Sequence, residues 1–370
     1  MKKMRQAAGL LLSALLLSAL PGCAPAAEQG EGSSSIPDEP STSVIAPVDP
    51  EPQPAPYTNP LTGEGCQTDL SQNRPVAIML NNLKKALPQL GVSQADIIYE
   101  AVAEGGITRM LGVFQSVEGV GEIGSVRSAR DYFVSLALGH DAIFLHAGGS
   151  DQAYLAIKNW GVTALDCVNG PYEGTLFWRD PDRRRTMGLE HSVLTSGDTI
   201  QELLPTYSRV TLEHEAGYDP GLAFLPEGET AQGTPAQSVE IRFSTYKTGV
   251  FTYDEASGLY RIEEFGSPYV DGNTGEQVAV KNVLALFTDI SSIAGDSAGR
   301  QSVRTTGTGD GLFWCDGVQQ SITWSKASHD SPLTYYDSQG QPLELGVGHT
   351  YVNLVGGPSA VTVHTGGEEA

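Results

Sequence analysis

Apolar residues fall into distinct regimes along this 370-residue chain, and each regime predicts a different kind of structure. Between about residues 7 and 20 they run without interruption. Over residues 24–59 they almost vanish. From residue 75 to about 196, short apolar runs alternate with stretches spaced like one face of a helix, which predicts an α/β N-terminal domain with a mixed sheet over residues 60–215. From residue 236 onward, apolar side chains recur at alternate positions between Gly, Asp, Ser and Pro. That pattern predicts a mainly antiparallel β-rich C-terminal domain over residues 236–364, with candidate strands at 239–243, 250–253, 259–265, 278–287, 312–315, 321–324, 334–336 and 351–355. The Gly-, Pro- and Glu-rich stretch 216–235 reads as the join.

Within the first domain, residues 75–80 read as a buried strand and 84–90 as a short helix or turn. The runs 97–103 and 107–115 flank Gly105-Gly106, a β-hairpin signal. With the two glycines as the loop, Val102 pairs with Arg109 and Glu104 with Ile107. Asp96, Glu100 and Glu104 then share one sheet face with Arg109. Such carboxylates suit Mg²⁺ or Ca²⁺ ligation or an acid/base pair, but without an EF-hand loop they read first as an ordinary salt-bridge patch. Residues 123–130 read as a loop entering a helix over 131–138 with Ser128 as N-cap, so Arg127 and Arg130 sit near a helix end that favours anions. A buried strand at 142–145 ends in His146-Ala147-Gly148-Gly149-Ser150, which places glycine backbone at a ligand-facing sheet edge.

The uninterrupted run follows Lys2, Lys3 and Arg5 and closes at Pro21-Gly22, the layout of a secretory signal peptide over residues 1–22. At about 14 residues it falls short of the roughly 18–20 that a membrane-spanning helix needs. Gly22 before Cys23, with Leu20 three positions upstream of the thiol, resembles the lipobox of bacterial lipoproteins, although Pro21 is unusual at its place. The resemblance implies diacylglycerol on Cys23, and a chain lipid-anchored at the extracytoplasmic face of the cell membrane. Residues 23–59 would be the linker: from residue 24 it holds eight prolines, six carboxylates and no Lys or Arg. Such a segment cannot build a core; it reaches about 110 Å as a polyproline helix and about 35 Å as a coil.

The formal charge is −22, and removal of the cationic leader takes it to −25. That balance argues against nucleic acid as a partner. Against this background, eight of the 19 Lys and Arg residues beyond the leader lie between Arg109 and Arg185. Paired guanidinium groups match phosphate and carboxylate geometry, so Arg109, Arg127 and Arg130, with His146 and Ser150, are the candidate ligand-binding residues. The run Arg183 to Arg185 reads as a solvated charge cluster and His191 as a packed histidine. His146, Ser150 and Asp151 lie too close on one loop for a nucleophile and base, and no GxSxG motif is present. Cys66, Cys167 and Cys315 show no zinc spacing, and read as packing residues or one pair. The Gly307–Gly311 stretch lacks a P-loop lysine and reads as a hairpin turn.

Residues 59–196 resemble the two-domain bacterial lipoprotein family typified by YerB. The motifs are Asn59-Pro60-Leu61-Thr62-Gly63, Arg74-Pro75-Val76-Ala77, Ala95-Asp96-Ile97-Ile98-Tyr99-Glu100, Glu104-Gly105-Gly106-Ile107-Thr108-Arg109, Val126-Arg127-Ser128-Ala129-Arg130 and His146-Ala147-Gly148-Gly149-Ser150. Lys281-Asn282-Val283 and Trp324-Ser325-Lys326 extend the likeness into the second domain. Ser125 departs from a usual proline, and Glu190 and Ser192 flank His191 where Pro and Asn are more usual. A fainter similarity is to LytR-CpsA-Psr enzymes, which would imply a metal-assisted phosphotransferase using Asp96, Glu100 or Glu104. The leading expectation is an exported cell-envelope binding or accessory lipoprotein that holds an anionic envelope ligand through the arginines of its N-terminal domain, with an anionic cell-wall polymer or an envelope protein as partner. The alternatives are that phosphotransferase and a scaffold that engages envelope proteins through the β-rich domain.

Overall fold

The structure, a computed structural model, describes residues 55–365. The leader, Cys23 and the linker up to residue 54 lie outside the described residues. The folded framework begins ahead of residue 60. Tyr57–Thr58 pairs with Gly65–Cys66, and the Asn59 side chain donates to Asp96 at 2.7 Å.

The N-terminal part builds β1 (Val76–Asn82), β2 (Ile97–Val102), β3 (Thr108–Phe114), β4 (Glu122–Gly124), α1 (Asp131–Gly139), β5 (Ile143–His146), α2 (Asp151–Asn159) and β6 (Ala164–Asp166). After them come β7 (Trp178–Arg179), α3 (Pro181–Thr186), β8 (Val193–Ser196) and α4 (Gly197–Leu203). The C-terminal part adds β9 (Ser238–Arg242), β10 (Thr248–Asp254), β11 (Leu259–Glu264), β12 (Asn282–Phe287), β13 (Gly307–Cys315), β14 (Val318–Lys326), β15 (Thr350–Val355) and β16 (Val361–His364). A mixed sheet with few helices, followed by mostly antiparallel strands, is the class the hydrophobic pattern predicts.

The two parts share one sheet. Its order runs β14-β13-β12-β15-β2-β3-β1-β5-β6. β15, the last of these strands in the chain, lies parallel to β12 on one side and parallel to β2 on the other. Every residue of β1, β3 and β15 is buried, as expected of strands covered on both faces. Alternation sorts them: Val76, Ile78 and Leu80 pack with β9, β10 and β11 of a second, six-stranded sheet, whereas Ala77 and Met79 pack with Tyr132, Phe133 and Leu136 of α1.

Two local expectations are corrected. The turn after β2 is a longer 3₁₀ loop with Gly105 and Gly106 both at positive φ, so Val102 pairs with Thr108 and Ala101 with Arg109. That slip of one residue places Glu100 and Arg109 on opposite faces. The Gly307–Gly311 stretch is strand, not turn. A Cβ at Gly309 would lie 2.5 Å from Trp324 Nε1 and 2.7 Å from the Phe287 carbonyl oxygen, so the glycine permits close approach of the neighbouring strand and the indole.

The shifted register carries Glu100 into a buried polar cluster between the two sheets. Its carboxyl accepts from Asn82 at 2.8 Å, Thr108 at 2.5 Å and Tyr351 at 2.6 Å. Lys247 Nζ lies 3.3 Å from Glu100 and 2.5 Å from Glu264, in ion-pair contact with both. Burial, with Glu100 alongside and despite Lys247, pushes the Glu264 carboxyl above its usual range. The Lys247 ammonium is raised: burial opposes the charge, but Glu100 and Glu264 outweigh it. Lys247→Met strands two buried acids and is expected to cost about 3–5 kcal/mol in denaturant unfolding. Glu264→Gln removes only the surplus acid and is expected to cost clearly less; the reverse order of costs would refute this account of the cluster.

Candidate functional site

The parallel strands β1, β5 and β6 end on one edge of the large sheet, where the chain leaves them as loops. β5 delivers His146 and the turn Ala147-Gly148-Gly149, in which Gly148 has φ +75°. β6 delivers Asp166, which organises that edge. Its Oδ1 accepts from the backbone N–H of Gly148 at 2.7 Å and of Val168 at 2.8 Å, and its Oδ2 accepts from Tyr154 at 2.8 Å and Asn169 at 3.1 Å. Burial opposes ionisation of Asp166, yet His146 and these donors together hold it below the usual carboxylate range. Ser150 caps α2, accepting from the Ala153 N–H at 3.1 Å.

These loops form one wall of an open groove of about 670 Å³. The other wall is the segment Met187 to Glu190 after α3. Arg127 and Arg179 both reach it: Arg127 donates to the Glu190 carbonyl at 3.1 Å, and Arg179 to the Leu189 carbonyl at 3.0 Å. Lys85 completes the basic lining, against Val126, Val168 and Leu189 as apolar lining. The start of α3 is capped by Asp180, with Pro181 in its first turn. Arg183 is buried and donates to the carbonyls of Ala86 at 3.3 Å and Pro88 at 2.6 Å. It therefore pins the segment that carries Lys85. The arginine run divides accordingly, since Arg184 and Arg185 are exposed and Arg183 is not.

Of the candidate ligand-binding residues, only Arg127 lines the groove. Arg109 and Arg130 are 3 % and 6 % exposed and converge on Glu104. Burial opposes ionisation of Glu104, but the two guanidinium groups hold its carboxyl low. Ser128 caps no helix; its hydroxyl donates to the Ala147 carbonyl at 3.0 Å, and Arg130 holds the N-cap position of α1. His146 is buried, within 2.8 Å of the Gly148 carbonyl oxygen, and burial pushes its pKa down. His191 is also buried, with Asn81 donating to its Nδ1 at 2.8 Å. The carboxylates do not converge either. Asp96 accepts from Asn59 and the Gln115 N–H, Glu100 meets Lys247, and Glu104 meets two arginines. Among the described residues no group of three or more His, Cys, Asp and Glu is placed to hold a metal ion. Cys66, Cys167 and Cys315 are unpaired.

Sequence reasoning passed over Lys85, Tyr154, Asp166 and Asn169. The available signal was a short apolar run, Ala164-Leu165, followed by Asp166 and Asn169, as expected where a parallel strand runs out.

Two family models match this chain. Both are described as a protein of unknown function (DUF3048): the N-terminal domain over residues 61–208 and the C-terminal domain over residues 239–352. The chain belongs to the DUF3048 family. This DUF3048 protein is 32 % identical over 315 residues to YerB of Bacillus subtilis (strain 168), which is named as a lipoprotein, covering 83 % of this chain and 88 % of the relative. The crystal structure of the YerB protein from Bacillus subtilis superimposes with a TM-score of 0.71 at 30 % identity, over 83 % of this chain and 99 % of that one. The resemblance carried by the motifs between Asn59 and Ser150 is thereby borne out.

The Glu104 triad supports the groove from beneath, because Arg109 also donates to the Ser128 carbonyl at 2.8 Å. Glu104→Gln leaves two buried guanidinium groups short of a counter-charge. The expected cost at neutral pH is about 3 kcal/mol, the lower end for breaking a buried pair, since Glu104 is a quarter exposed. A carboxyl with a depressed folded pKa stabilises above its unfolded pKa, and the contribution is lost as pH falls through the folded value. The difference between wild type and Glu104→Gln should therefore shrink on acidification below about pH 4; a pH-independent difference in melting experiments would contradict the ion-pair assignment.

Proposed function

We propose that this DUF3048 protein is a lipid-anchored envelope protein whose N-terminal groove binds an anionic cell-wall polymer. Anchoring is read from the leader and Cys23, and is supported by the name of the Bacillus relative. The observation that carries the ligand reading is the groove lining: Arg127, Arg179 and Lys85 stand at one sheet edge of a strongly acidic chain. Arg109 and Arg130, engaged with Glu104, act as supports of the loop that presents Arg127. A phosphodiester or carboxylate group would take the guanidinium forks, and the carbon backbone of the polymer would lie on the apolar lining. Nothing brings Asp96, Glu100 and Glu104 together, so the phosphotransferase reading has no observation in its favour.

The reading is tested with a soluble glycerol-phosphate oligomer titrated into the full chain. Arg127→Ala combined with Arg179→Ala is expected to weaken binding at least about tenfold, in line with truncating one partner of a charged contact. Wild-type binding should also weaken as salt is raised. Unchanged affinity in a double variant with an unaltered melting temperature would overturn it.

A further inference from the structure

The groove already contains an anion of its own. Glu190 is the one acidic side chain of its lining among the described residues. The side chain is 65 % exposed, yet both oxygens are engaged, Oε2 at 3.4 Å from Arg127 Nη2 and Oε1 at 3.3 Å from His191 Nε2. Both separations exceed the roughly 2.7–2.9 Å of a strong charge-assisted hydrogen bond. Arg179 is held differently. Its counter-ion Glu173 approaches Nε at 2.8 Å and does not line the groove. The Arg127 guanidinium is thus covered by a loosely held, solvent-facing carboxylate, while its neighbour is paired tightly from outside.

The backbone beside Glu190 is held by Arg127 and Arg179 through the carbonyls of Glu190 and Leu189, so exchange needs only the Glu190 side chain to move, into open space. Gly188 has φ +111°, a conformation side chains rarely adopt. A Cβ there would meet nothing nearer than Lys85 Nζ at 4.0 Å. Leu189 beside it and Val168 on the opposite wall are each 52 % exposed, so the groove has apolar ground on both sides of the cation.

We propose that Glu190 is a built-in competitor for the anion site: its carboxylate occupies Arg127 in the empty groove and is exchanged for an anionic group of the ligand. The proposal rests on the reading of the groove as an anion site and adds how that site is regulated. The exchange replaces one carboxylate contact with another anion contact, so the ligand's net gain at Arg127 is the difference between the two. Ligands of higher charge density, such as phosphodiesters, are selected over single carboxylates, and the ligand's carbon backbone packs between Leu189 and Val168.

The experiment titrates the same glycerol-phosphate oligomer into full-chain wild type, Glu190→Gln, Glu190→Ala and the exposed control Glu118→Gln, which lies outside the groove. Glu190→Gln and Glu190→Ala are expected to bind about fivefold more tightly than wild type, the upper end of what an exposed ion pair is worth, with the gain shrinking at high salt. Glu118→Gln is expected to match wild type. The proposal is overturned if neither Glu190 variant gains affinity, or if Glu118→Gln gains as much, which would make the effect one of net charge. Wild-type binding that is lost with Arg127→Ala and Arg179→Ala but gains nothing at Glu190 removes the competitor and leaves the anion site standing. Absence of binding by wild type and both Glu190 variants removes both.

Discussion

The parallel seating of β15 between β2 and β12 is the constraint on which the rest of the molecule depends. A strand from the far end of the chain completes the central sheet of the N-terminal part, so neither part has a finished sheet without the other. Asn282 secures the approach to that strand, exchanging hydrogen bonds with Gly346 at 2.7 and 2.8 Å. Parallel pairing leaves both faces needing cover, and the cover comes from both parts: helices α1 and α2 on one face, the second β-sheet on the other. The Glu100, Lys247 and Glu264 cluster lies under that second sheet. Glu100 is tolerable there because Asn82, Thr108 and Tyr351 donate to it and Lys247 supplies a counter-charge, whereas Glu264 keeps one oxygen without a hydrogen-bond donor.

Much of the cationic charge that stands out in the sequence is used by the fold itself. Arg109 and Arg130 are tied to Glu104, Arg183 to backbone carbonyls, and Lys247 to two glutamates. Lys326 is likewise buried; desolvation lowers it to about 8, and its Nζ donates to the His329 carbonyl at 2.9 Å. The cations that line the groove come from separate segments: Lys85 from the loop after β1, Arg127 from the approach to α1, and Arg179 from β7. Two of them are set by neighbours further inside, Lys85 through Arg183 and Arg127 through Arg109 and the loop after β5.

The fold class was legible because periodicity reports which faces are buried, and those faces are what pack. Candidate strands such as 239–243, 259–265 and 334–336 lie within a residue or so of the observed ones. The long-range seating of β15 was not legible, since 351–355 reads the same whether it pairs within its own domain or across to β2. The Glu104 loop failed for a sharper reason. Two adjacent glycines suit a tight turn and a longer one equally, and one residue of difference moves every side chain of β3 to the other face. The candidate site suffered from that error, gaining an Arg109 and Glu100 face that does not exist. Arg127 was found because its loop precedes a helix; Lys85 was missed because only the buried Arg183 links it to the groove.

The distribution of charge also limits how an anion could reach the groove. A chain with a formal charge of −22 repels polyanions at long range. At physiological ionic strength, however, that field is screened beyond about 8 Å. On the proposed reading, recognition would then be settled at contact distance, by Arg127, Arg179 and Lys85, and not by steering from afar. Such a site gains little in association rate but discriminates well, because an anion that cannot reach the recessed guanidinium groups feels mainly the repulsive background. On the proposed reading, the loosely held Glu190 carboxylate sharpens the same discrimination, since it would have to be displaced before an outside anion could take its place on Arg127.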